Sequence, residues 1–372
     1  MTEKFNKKRI KQQEIYQDIL SGMEDWVRVV DLSNRVIYMN DPMKKAVGNN
    51  IGFECYLSLG RNSPCSNCIS SRTLIEDRPL VKEEVVNQRI YSVISSPIKN
   101  KNNRIYCSVE VFRDITEARS LETLTFEQNR KMKHDLNIAK QLQHKILPEN
   151  KVYNTLKIES IYVPSEILGG DVFDVIEIDD ENIGMYIADV SGHGVTSSMM
   201  TMFIRQTLKN IGNDAIHPEV TLKQLYHRYR ELNIDDQYYI TIFYGVYNKT
   251  NNLFSYSNAG HNCLPILIGL DGQVVELELS GYPIFTLFDD VEYDKQSISL
   301  SKGDKIVFYT DGIGEAFSLE EGFFASDRVL QICKEHKKKD IQQLIKIIMQ
   351  DVTNFTRGNV KDDMAIMAGE IL

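Results

Sequence analysis

The chain is predicted to be an α+β protein with two folded domains joined by a helix. Short strand-like runs separated by turn signals occupy residues 14–115. Residues 116–149 are charged and helix-favouring, and they contain no glycine and no proline before Pro148. Beyond residue 150, many antiparallel-looking strand runs are combined with helical stretches, which is typical of an α+β sandwich. At 372 residues the chain is long enough for two domains of ordinary size.

Within residues 14–115 the order is two strands, a helical middle and three more strands. The runs are WVRVVD (26–31), RVIYMN (35–40), VKEEVV (81–86), RIYSVIS (89–95) and RIYCSVEVF (104–112). The segment ends in Asp114-Ile115-Thr116, which is similar to the motif that often closes PAS sensor domains. In strand order and exit motif this segment resembles a PAS sensor domain, which implies that it senses a signal.

Three cysteines lie in the middle of this domain, with the spacing C-x9-C-x2-C at Cys55, Cys65 and Cys68. Three thiolates suit Zn²⁺ or an iron–sulfur cluster, and Cys107 on the last strand is a candidate fourth ligand. A redox disulfide between Cys65 and Cys68 would need no metal. Three unlinked thiols in a loop are the third alternative, and the sequence does not choose among them.

Residues 116–149 are predicted to form a helical linker. Leu136, Ala139, Leu142 and Ile146 step by three, three and four, which places them along one helix face. A connector docked on the second domain and a dimeric signalling helix both fit this pattern. Too few heptads are clean to predict a stable coiled coil, so a homodimer is left open.

The bulk composition excludes several classes of protein. A net charge of −9 argues against a nucleic-acid partner, which would require a basic surface. No apolar run approaches the roughly 18–20 residues of a membrane helix. The opening MTEKFNKKRIKQQE lacks the apolar core of a secretory signal, and six cysteines are too few for a disulfide scaffold of this length. We therefore expect a cytoplasmic protein with reduced thiols and no membrane or nucleic-acid partner.

Four aspartate motifs in residues 150–372 carry the chemistry. They are Gly169-Gly170-Asp171, Asp189-Val190-Ser191-Gly192-His193-Gly194, Thr310-Asp311-Gly312 and Asp362-Asp363. Each follows or opens an apolar strand-like run, so each carboxylate is expected at a strand end. Hard cations such as Mg²⁺ and Mn²⁺ prefer oxygen ligands, and neighbouring glycines permit close backbone approach. One Asp-Gly pair is common turn chemistry, but four such motifs in one domain predict a divalent-metal site.

The order of these motifs resembles the metal-dependent protein phosphatase family, the protein phosphatase 2C (PP2C) superfamily, and in particular its bacterial SpoIIE/RsbU-type branch. The supporting segments are GGDVFDVIEID (169–179), IADVSGHG (187–194), FYGVYN (243–248), SYSNAGHN (255–262), KGDKIVFYTDGIGEAF (302–317) and KDDMAIM (361–367). The resemblance implies an αββα sandwich, with two central sheets flanked by helices. It also implies a protein serine/threonine phosphatase, which is a hydrolase.

The resemblance further implies a site for two Mn²⁺ or Mg²⁺ ions. Asp189 would bridge both ions, and Val190 would offer its backbone carbonyl. Asp311 and Asp362 would complete the shell of the second ion, and Asp171 would act directly or through water. The full expected set is Asp171, Asp189, Val190, Asp311, Asp362 and Asp363, with Asp171, Asp189 and Asp311 as the catalytic residues.

In the Asp362-Asp363 pair the family places the ligand first, so Asp362 is favoured over Asp363. His193 could protonate a serine leaving group, since imidazole titrates near neutrality, but a structural role in its turn is favoured. His261 is expected to pack or to form hydrogen bonds. The stretch Ser160–Gly169 lacks the arginine with which animal members of the superfamily grip phosphate.

The resemblance implies a substrate as well, namely a phosphorylated anti-sigma factor antagonist of the STAS type. Its dephosphorylation would release a sigma factor in a partner-switching system under control of the sensor domain. A non-catalytic scaffold whose phosphatase fold only binds partners is the alternative. A sensor module whose output is dimerisation alone is the third hypothesis.

Overall fold

Strands dominate both halves of the chain, as the α+β prediction requires. The computed structural model describes residues 14–234, 237–287, 290–318 and 322–372. The chain divides into two compact units, Met1–Lys131 and Met132–Leu372. The first 13 residues, which hold most of the opening that argues against a secretory signal, lie outside the described residues. Within the described ranges, no helix is both long and apolar enough to cross a membrane.

The first unit is built on one antiparallel sheet. Its strands are β1 (Trp26–Asp31), β2 (Val36–Met39), β3 (Leu80–Val86), β4 (Arg89–Lys99) and β5 (Ile105–Asp114). They lie in the order β2-β1-β5-β4-β3. Helices α1 (Asp41–Val47) and α2 (Ile69–Glu76) connect β2 to β3. All five predicted runs therefore form strands, with helices in the predicted middle.

A single helix of 31 residues, α3 (Thr116–Ile146), covers most of the predicted linker. It ends two residues before Pro148, whose ring disfavours a helical conformation at the preceding residue. The division between the two units falls inside this helix. One detail of the predicted face is wrong, because Leu142 is 56% exposed whereas Gln143 is buried. Two helical turns from Leu136 lead to position 143, so Gln143 takes the place predicted for Leu142.

The second unit contains two antiparallel sheets. Eleven strands form them: β6 (Val152–Tyr153), β7 (Leu156–Val163), β8 (Asp171–Glu177), β9 (Asn182–Val190), β10 (Ile240–Asn248), β11 (Leu253–Ala259), β12 (Ile266–Ile268), β13 (Val274–Glu276), β14 (Gln296–Ser299), β15 (Lys305–Tyr309) and β18 (Met364–Ile371). One sheet has the order β14-β11-β10-β9-β8, and the other has the order β13-β12-β15-β18-β7-β6. A short hairpin, β16 (Phe317–Ser318) and β17 (Gly322–Phe323), lies outside both sheets.

Helices cover the outer face of each sheet. Helices α4 (Val195–Lys209) and α5 (Pro218–Glu231) share an apolar core with the first sheet. Helices α7 (Ser326–His336) and α8 (Ile341–Thr356) share one with the second sheet, and the short helix α6 (Asp311–Gly314) follows β15. A third core lies between the two sheets. The predicted αββα sandwich is therefore confirmed, and central strands such as β9 are apolar on both faces because both faces are covered.

Candidate metal centre

The strand register brings the four aspartate motifs to one end of the sandwich. Asp171 opens β8 and pairs in register with Asp189 near the end of β9. Asp311 follows β15, whereas Asp362 and Asp363 precede β18, the antiparallel neighbour of β15. In an antiparallel pair the start of one strand lies beside the end of the other, so each sheet brings its own aspartates to one edge. The hydrogen bonds from Thr310 to Asp171 and from Gly170 to Asp363 show that the two edges meet.

Asp171 and Asp189 form the more buried half of this cluster. Burial raises the pKa of Asp171 well above its usual range, and the carboxylates of Asp189 and Asp363 raise it further. The Thr310 hydroxyl opposes this shift by donating a hydrogen bond of 2.7 Å to Asp171 Oδ2. Burial also raises the pKa of Asp189 to about 8, and three further aspartates add to that rise. Both carboxyl groups of this pair are therefore easier to protonate than an exposed aspartate, and a bound cation would oppose that shift.

Asp311 and Asp362 form the less buried half. Burial raises the pKa of Asp311 to about 6, and the charges of Asp362 and Glu315 add to the rise. Burial raises the pKa of Asp362 as well, and the charge of Asp363 adds to the rise, whereas a hydrogen bond from the Asp363 backbone N–H and the charge of His193 lower it. Each of these carboxylates is thus destabilised by its neighbours and would be stabilised by a nearby positive charge.

Asp363 has a different role from Asp362. Its Oδ1 accepts hydrogen bonds from the backbone N–H of Ser165 at 2.7 Å and from the Ser165 hydroxyl at 2.9 Å. Its Oδ2 accepts a hydrogen bond of 2.5 Å from the backbone N–H of Gly170. These bonds hold the loop that leads into Asp171. Asp363 therefore positions this loop, which leaves Asp362 as the better candidate ligand of the pair.

Three of the flanking glycines are required for space. A Cβ on Gly169 would lie 1.9 Å from the Tyr162 hydroxyl, and one on Gly312 would lie 1.9 Å from the Asp363 carbonyl oxygen. A Cβ on Gly170 would lie 2.8 Å from the carbonyl oxygen of Val190. Any side chain at these positions would force the aspartate motifs apart. The glycines therefore permit the close approach that the sequence predicted.

One residue that contacts this loop, Gln143 of helix α3, was not predicted from the sequence. Its amide nitrogen donates a hydrogen bond of 2.8 Å to the Gly169 carbonyl, and its amide oxygen accepts one of 3.2 Å from the Gly169 N–H. Gln143 is 3% exposed. Gln143 is the buried residue of α3, and its place on the buried face can be recognised only once the helical phase is known.

The two histidines of the motifs lie in different environments. His193 is 70% exposed, and its Nδ1 lies 3.1 Å from Glu166 Oε1. His261 is buried, its Nε2–H donates to the Tyr309 carbonyl at 3.0 Å, and its Nδ1 accepts from the Thr241 hydroxyl at 3.3 Å. Burial lowers the pKa of His261 to about 4, against a weaker opposing effect of the Tyr309 bond. His261 is therefore the hydrogen-bonding residue that the sequence predicted.

The chemistry of the donor set fits hard divalent cations. In the described ranges, no lysine or arginine forms an ion pair with any of the five aspartates. A cavity of about 350 Å³ beside them is lined by residues that include Asp189, Thr241, Asp311 and Glu315. Uncompensated carboxylates with an open cavity can hold Mg²⁺ or Mn²⁺ while leaving coordination positions for water and phosphate.

The carboxylates are not already arranged around an ion. No three His, Cys, Asp or Glu side chains among the described residues form a group that could hold a metal as they stand. Asp171 is instead bonded to Thr310 and Asp189, and Asp363 is bonded to Ser165 and Gly170. Cation binding at this site would therefore replace protons shared among the carboxylates.

Comparison with known proteins identifies the family. The family model of stage II sporulation protein E (SpoIIE) matches residues 179–371, just over half of the chain. The chain belongs to the SpoIIE family. The matched range contains Asp189, Asp311, Asp362 and Asp363, whereas Asp171 precedes it. SpoIIE membership agrees with the predicted bacterial PP2C-type phosphatase, a protein serine/threonine phosphatase.

Individual relatives agree with this assignment. The chain is 29% identical over 240 residues to the phosphoserine phosphatase RsbU of Bacillus subtilis (strain 168), which covers 63% of the chain and 70% of RsbU. It is 26% identical over 234 residues to the phosphoserine phosphatase RsbP of the same organism, covering 62% of the chain and 56% of RsbP. The SiaA-PP2C domain of Pseudomonas aeruginosa matches 66% of the chain and 99% of that domain, with a TM-score of 0.57 and 20% identity. This last similarity shows that the fold is that of a PP2C domain.

Replacing Gln143 by alanine should weaken cation binding at this site. The variant leaves the buried N–H and C=O of Gly169 without partners, at a cost of about 1–3 kcal/mol, and loosens the loop before Asp171. We expect the Mn²⁺ concentration for half-saturation to rise about tenfold in a calorimetric titration. Gln141→Ala, on the exposed face of the same helix, is the matched control. If the cation-free variant unfolds at a lower temperature than the wild type but binds Mn²⁺ with the same affinity, Gln143 has a purely structural role.

His261 should make the stability of the second unit depend on pH. Its folded-state pKa of about 4 lies below the usual 6.5, so the unfolded chain binds the proton more readily and stability falls as pH falls. Between pH 7 and pH 5 the loss should be about 2 kcal/mol. Calorimetric unfolding should show a smaller loss in His261→Gln than in the wild type. The exposed His227→Gln variant serves as control, and equal slopes in all three proteins would contradict the assignment.

Proposed function

We propose that this chain is a Mn²⁺- or Mg²⁺-dependent phosphatase of phosphoserine or phosphothreonine in proteins, controlled by its N-terminal domain. The observation that carries the proposal is the convergence of five aspartates, none of them in an ion pair with a described lysine or arginine, at one end of a PP2C-type sandwich. Family membership supports the reaction class. The aspartate cluster supports the choice of cation, because carboxylate oxygens suit hard divalent ions.

The proposal assigns roles to individual residues. Asp189 would serve both cations, Asp311 and Asp362 would serve one of them, and Asp171 would act directly or through water. Val190 would contribute its backbone carbonyl, which lies beside Gly170. When bound, a pair of divalent cations supplies Lewis acidity and neutralises the charge on phosphoryl oxygens.

The protein's own residues prepare the site for this chemistry. Thr310 orients Asp171 through a hydrogen bond, and Asp363 fixes the Gly170 backbone. Gln143 fixes the adjacent Gly169. Such anchoring reduces the reorganisation required when a phosphoserine side chain enters the cavity beside Asp189 and Asp311. Asp363 is thus a positioning residue in this proposal, with Asp362 as the ligand.

The reaction can be tested directly with a phosphoserine peptide. Mn²⁺-dependent release of phosphate is expected, and Asp311→Asn should lower the rate by roughly 100-fold or more, because one cation loses a charged ligand. Asp327→Asn, an exposed aspartate at the start of α7, should leave the rate unchanged. Turnover that needs no divalent cation, or that survives Asp311→Asn, would contradict the proposed site. The non-catalytic scaffold predicts no turnover even when Mn²⁺ is shown to bind.

We further propose that the physiological substrate is a phosphorylated STAS-type anti-sigma factor antagonist in a partner-switching system. Two curated relatives bear the name phosphoserine phosphatase, and the SpoIIE family match supports a regulatory phosphoprotein as substrate. The cavity between Asp189 and Glu315 has an acidic lining, so the substrate phosphate would depend on the cations for charge compensation.

A substrate assay would compare phosphorylated STAS proteins with unrelated phosphoproteins. We expect one STAS protein to lose its phosphate at least tenfold faster than a phosphoserine peptide of the same sequence, since a folded partner adds contacts outside the cavity. Phosphate-affinity electrophoresis measures the loss. Equal rates on the folded protein and on its peptide would argue against a dedicated STAS substrate.

For regulation, we propose that the first unit is a PAS-like sensor that acts through α3. The sheet order β2-β1-β5-β4-β3 and the passage of β5 into α3 support this assignment. Near its end α3 holds Gly169 through Gln143, so a shift of the helix would reach the aspartate cluster.

The proposal includes a homodimer, because α3 exposes Leu121, Leu124, Phe126, Met132, Ile138 and Leu142. If analytical ultracentrifugation shows only a monomer at micromolar protein concentration, the homodimer proposal is wrong.

A further inference from the structure

A buried polar network ties the cysteine-bearing loop of the first unit to its sheet. Arg28 and Glu110 are 3% and 1% exposed, and Arg28 Nε lies 2.7 Å from Glu110 Oε2. Arg28 Nη1 donates to the Cys55 carbonyl at 2.5 Å and to the Ser58 hydroxyl. The Ser70 hydroxyl donates to Glu110 Oε1. This part of the interior is filled by an ion pair, and the loop that begins at Cys55 is anchored to it.

Cys65 and Cys68 are held close together by the turn at residues 66–67. The ends of such a four-residue turn lie within about 7 Å of each other between their Cα atoms. Disulfides span Cα distances of about 4.4–6.8 Å. Both cysteines are free and partly exposed to solvent. The backbone therefore already places this pair within reach of a disulfide bond, and a small oxidant can approach it.

Each of the two sulfurs receives a hydrogen bond from its own donor. Arg61 Nη1 donates to Cys65 Sγ at 3.0 Å, and the Ser71 hydroxyl donates to Cys68 Sγ at 3.4 Å. Cys68 is also the N-cap residue of α2. A guanidinium, a hydroxyl and a helix N-terminus all stabilise a thiolate relative to a thiol. Partial burial of Cys68 opposes ionisation, but hydrogen bonds from the hydroxyl and the backbone N–H of Ser71 contribute most to outweighing it, so the pKa of Cys68 lies below its usual value.

The other two cysteines of the first unit differ in environment. Cys55 is buried, and burial raises the pKa of its thiol to about 11, despite the lowering effect of Arg28. Cys107 lies in β5, where its register partners are Asp31 and Ile98. No group of three described His, Cys, Asp or Glu residues could hold a metal as it stands. Because Cys55 and Cys107 are buried, Cys65 and Cys68 are the cysteines of this unit that a solvent oxidant can reach.

We propose that Cys65 and Cys68 form a redox site that a hydroperoxide oxidises to a disulfide. The Cys68 thiolate attacks one peroxide oxygen, so that an S–O bond forms, the O–O bond breaks, and the leaving oxygen takes a proton to become water in the case of hydrogen peroxide. Cys65 sulfur then attacks the Cys68 sulfenic sulfur, so that an S–S bond forms and the S–O bond breaks. The Cys65 proton leaves with the hydroxyl as a second water. Two thiols lose two electrons, which reduce one peroxide.

The site goes beyond the proposed phosphatase function and is tested by a separate readout. The reduced full-length chain, prepared without oxygen, is treated with hydrogen peroxide, alkylated in denaturant and mapped by peptide mass spectrometry. We expect two of the six thiols to be lost to alkylation and a linked Cys65–Cys68 peptide to appear. Cys65→Ser should form no disulfide and should instead accumulate a dimedone-reactive sulfenic acid on Cys68. Cys107→Ser should form the same disulfide as the wild type.

Several outcomes would overturn the proposal. The proposal is wrong if all six thiols can still be alkylated after a peroxide dose that oxidises glutathione. It is also wrong if the disulfide that forms joins a different pair of cysteines. Stoichiometric zinc or iron on the anaerobic chain would assign the cysteines to a metal site. Equal dimedone labelling of Cys68 in the wild type and in Cys65→Ser would show that Cys65 does not resolve the sulfenic acid. Circular dichroism of each variant distinguishes these results from loss of the fold, and phosphatase activity enters none of them.

Discussion

Repulsion among five clustered carboxylates is the interaction on which the second unit depends. The two sheets deliver Asp171, Asp189, Asp311, Asp362 and Asp363 to one edge, where burial and mutual charge raise the pKa of several of them. A fold that keeps such a cluster must offset the repulsion with protons or with cations. Hydrogen bonds from Thr310 and from the backbone of the loop stabilise particular carboxylates but add no positive charge. This requirement supports the proposed role of the cluster as a site for divalent cations.

The linker helix takes part in that scaffold through a single polar contact. Gln143 bonds both backbone groups of Gly169, whose missing side chain leaves room for Tyr162 and Asp363. The same glycine is thus held from the helix side and packed against the carboxylate side. In the proposed regulation, movement of α3 would change both contacts of Gly169 at once and so reach the aspartates. In the same proposal the cysteine pair would supply a chemical input, because Ser70, two residues after Cys68, donates a hydrogen bond to Glu110 of β5, the strand that leads into α3.

Much of this arrangement could be predicted from sequence, because apolar periodicity and Asp-Gly motifs are local signals. The strands of both units and the positions of the aspartates at strand ends follow from such signals, whereas the αββα sandwich was implied by the family resemblance. The roles within the Asp362-Asp363 pair could only be suggested, since they depend on which carboxylate reaches Ser165 and Gly170 across the sandwich. Gln143 was missed because a side chain bonded to a distant backbone leaves no pattern, and Leu142 was misplaced by one position on the helix. The environments of the cysteines likewise depend on contacts from Arg61, Ser71 and Arg28 that no recognisable motif predicts.

The central claim is that the aspartate cluster exists to bind divalent cations, and equilibrium binding of Mn²⁺ tests it most directly. Free Mn²⁺ can be counted by electron paramagnetic resonance as the full-length chain is titrated. We expect a pair of bound ions per chain, accompanied by release of protons, and loss of at least one ion in Asp189→Asn. Binding that is absent at millimolar Mn²⁺, or that is unchanged by this substitution, would contradict the claim.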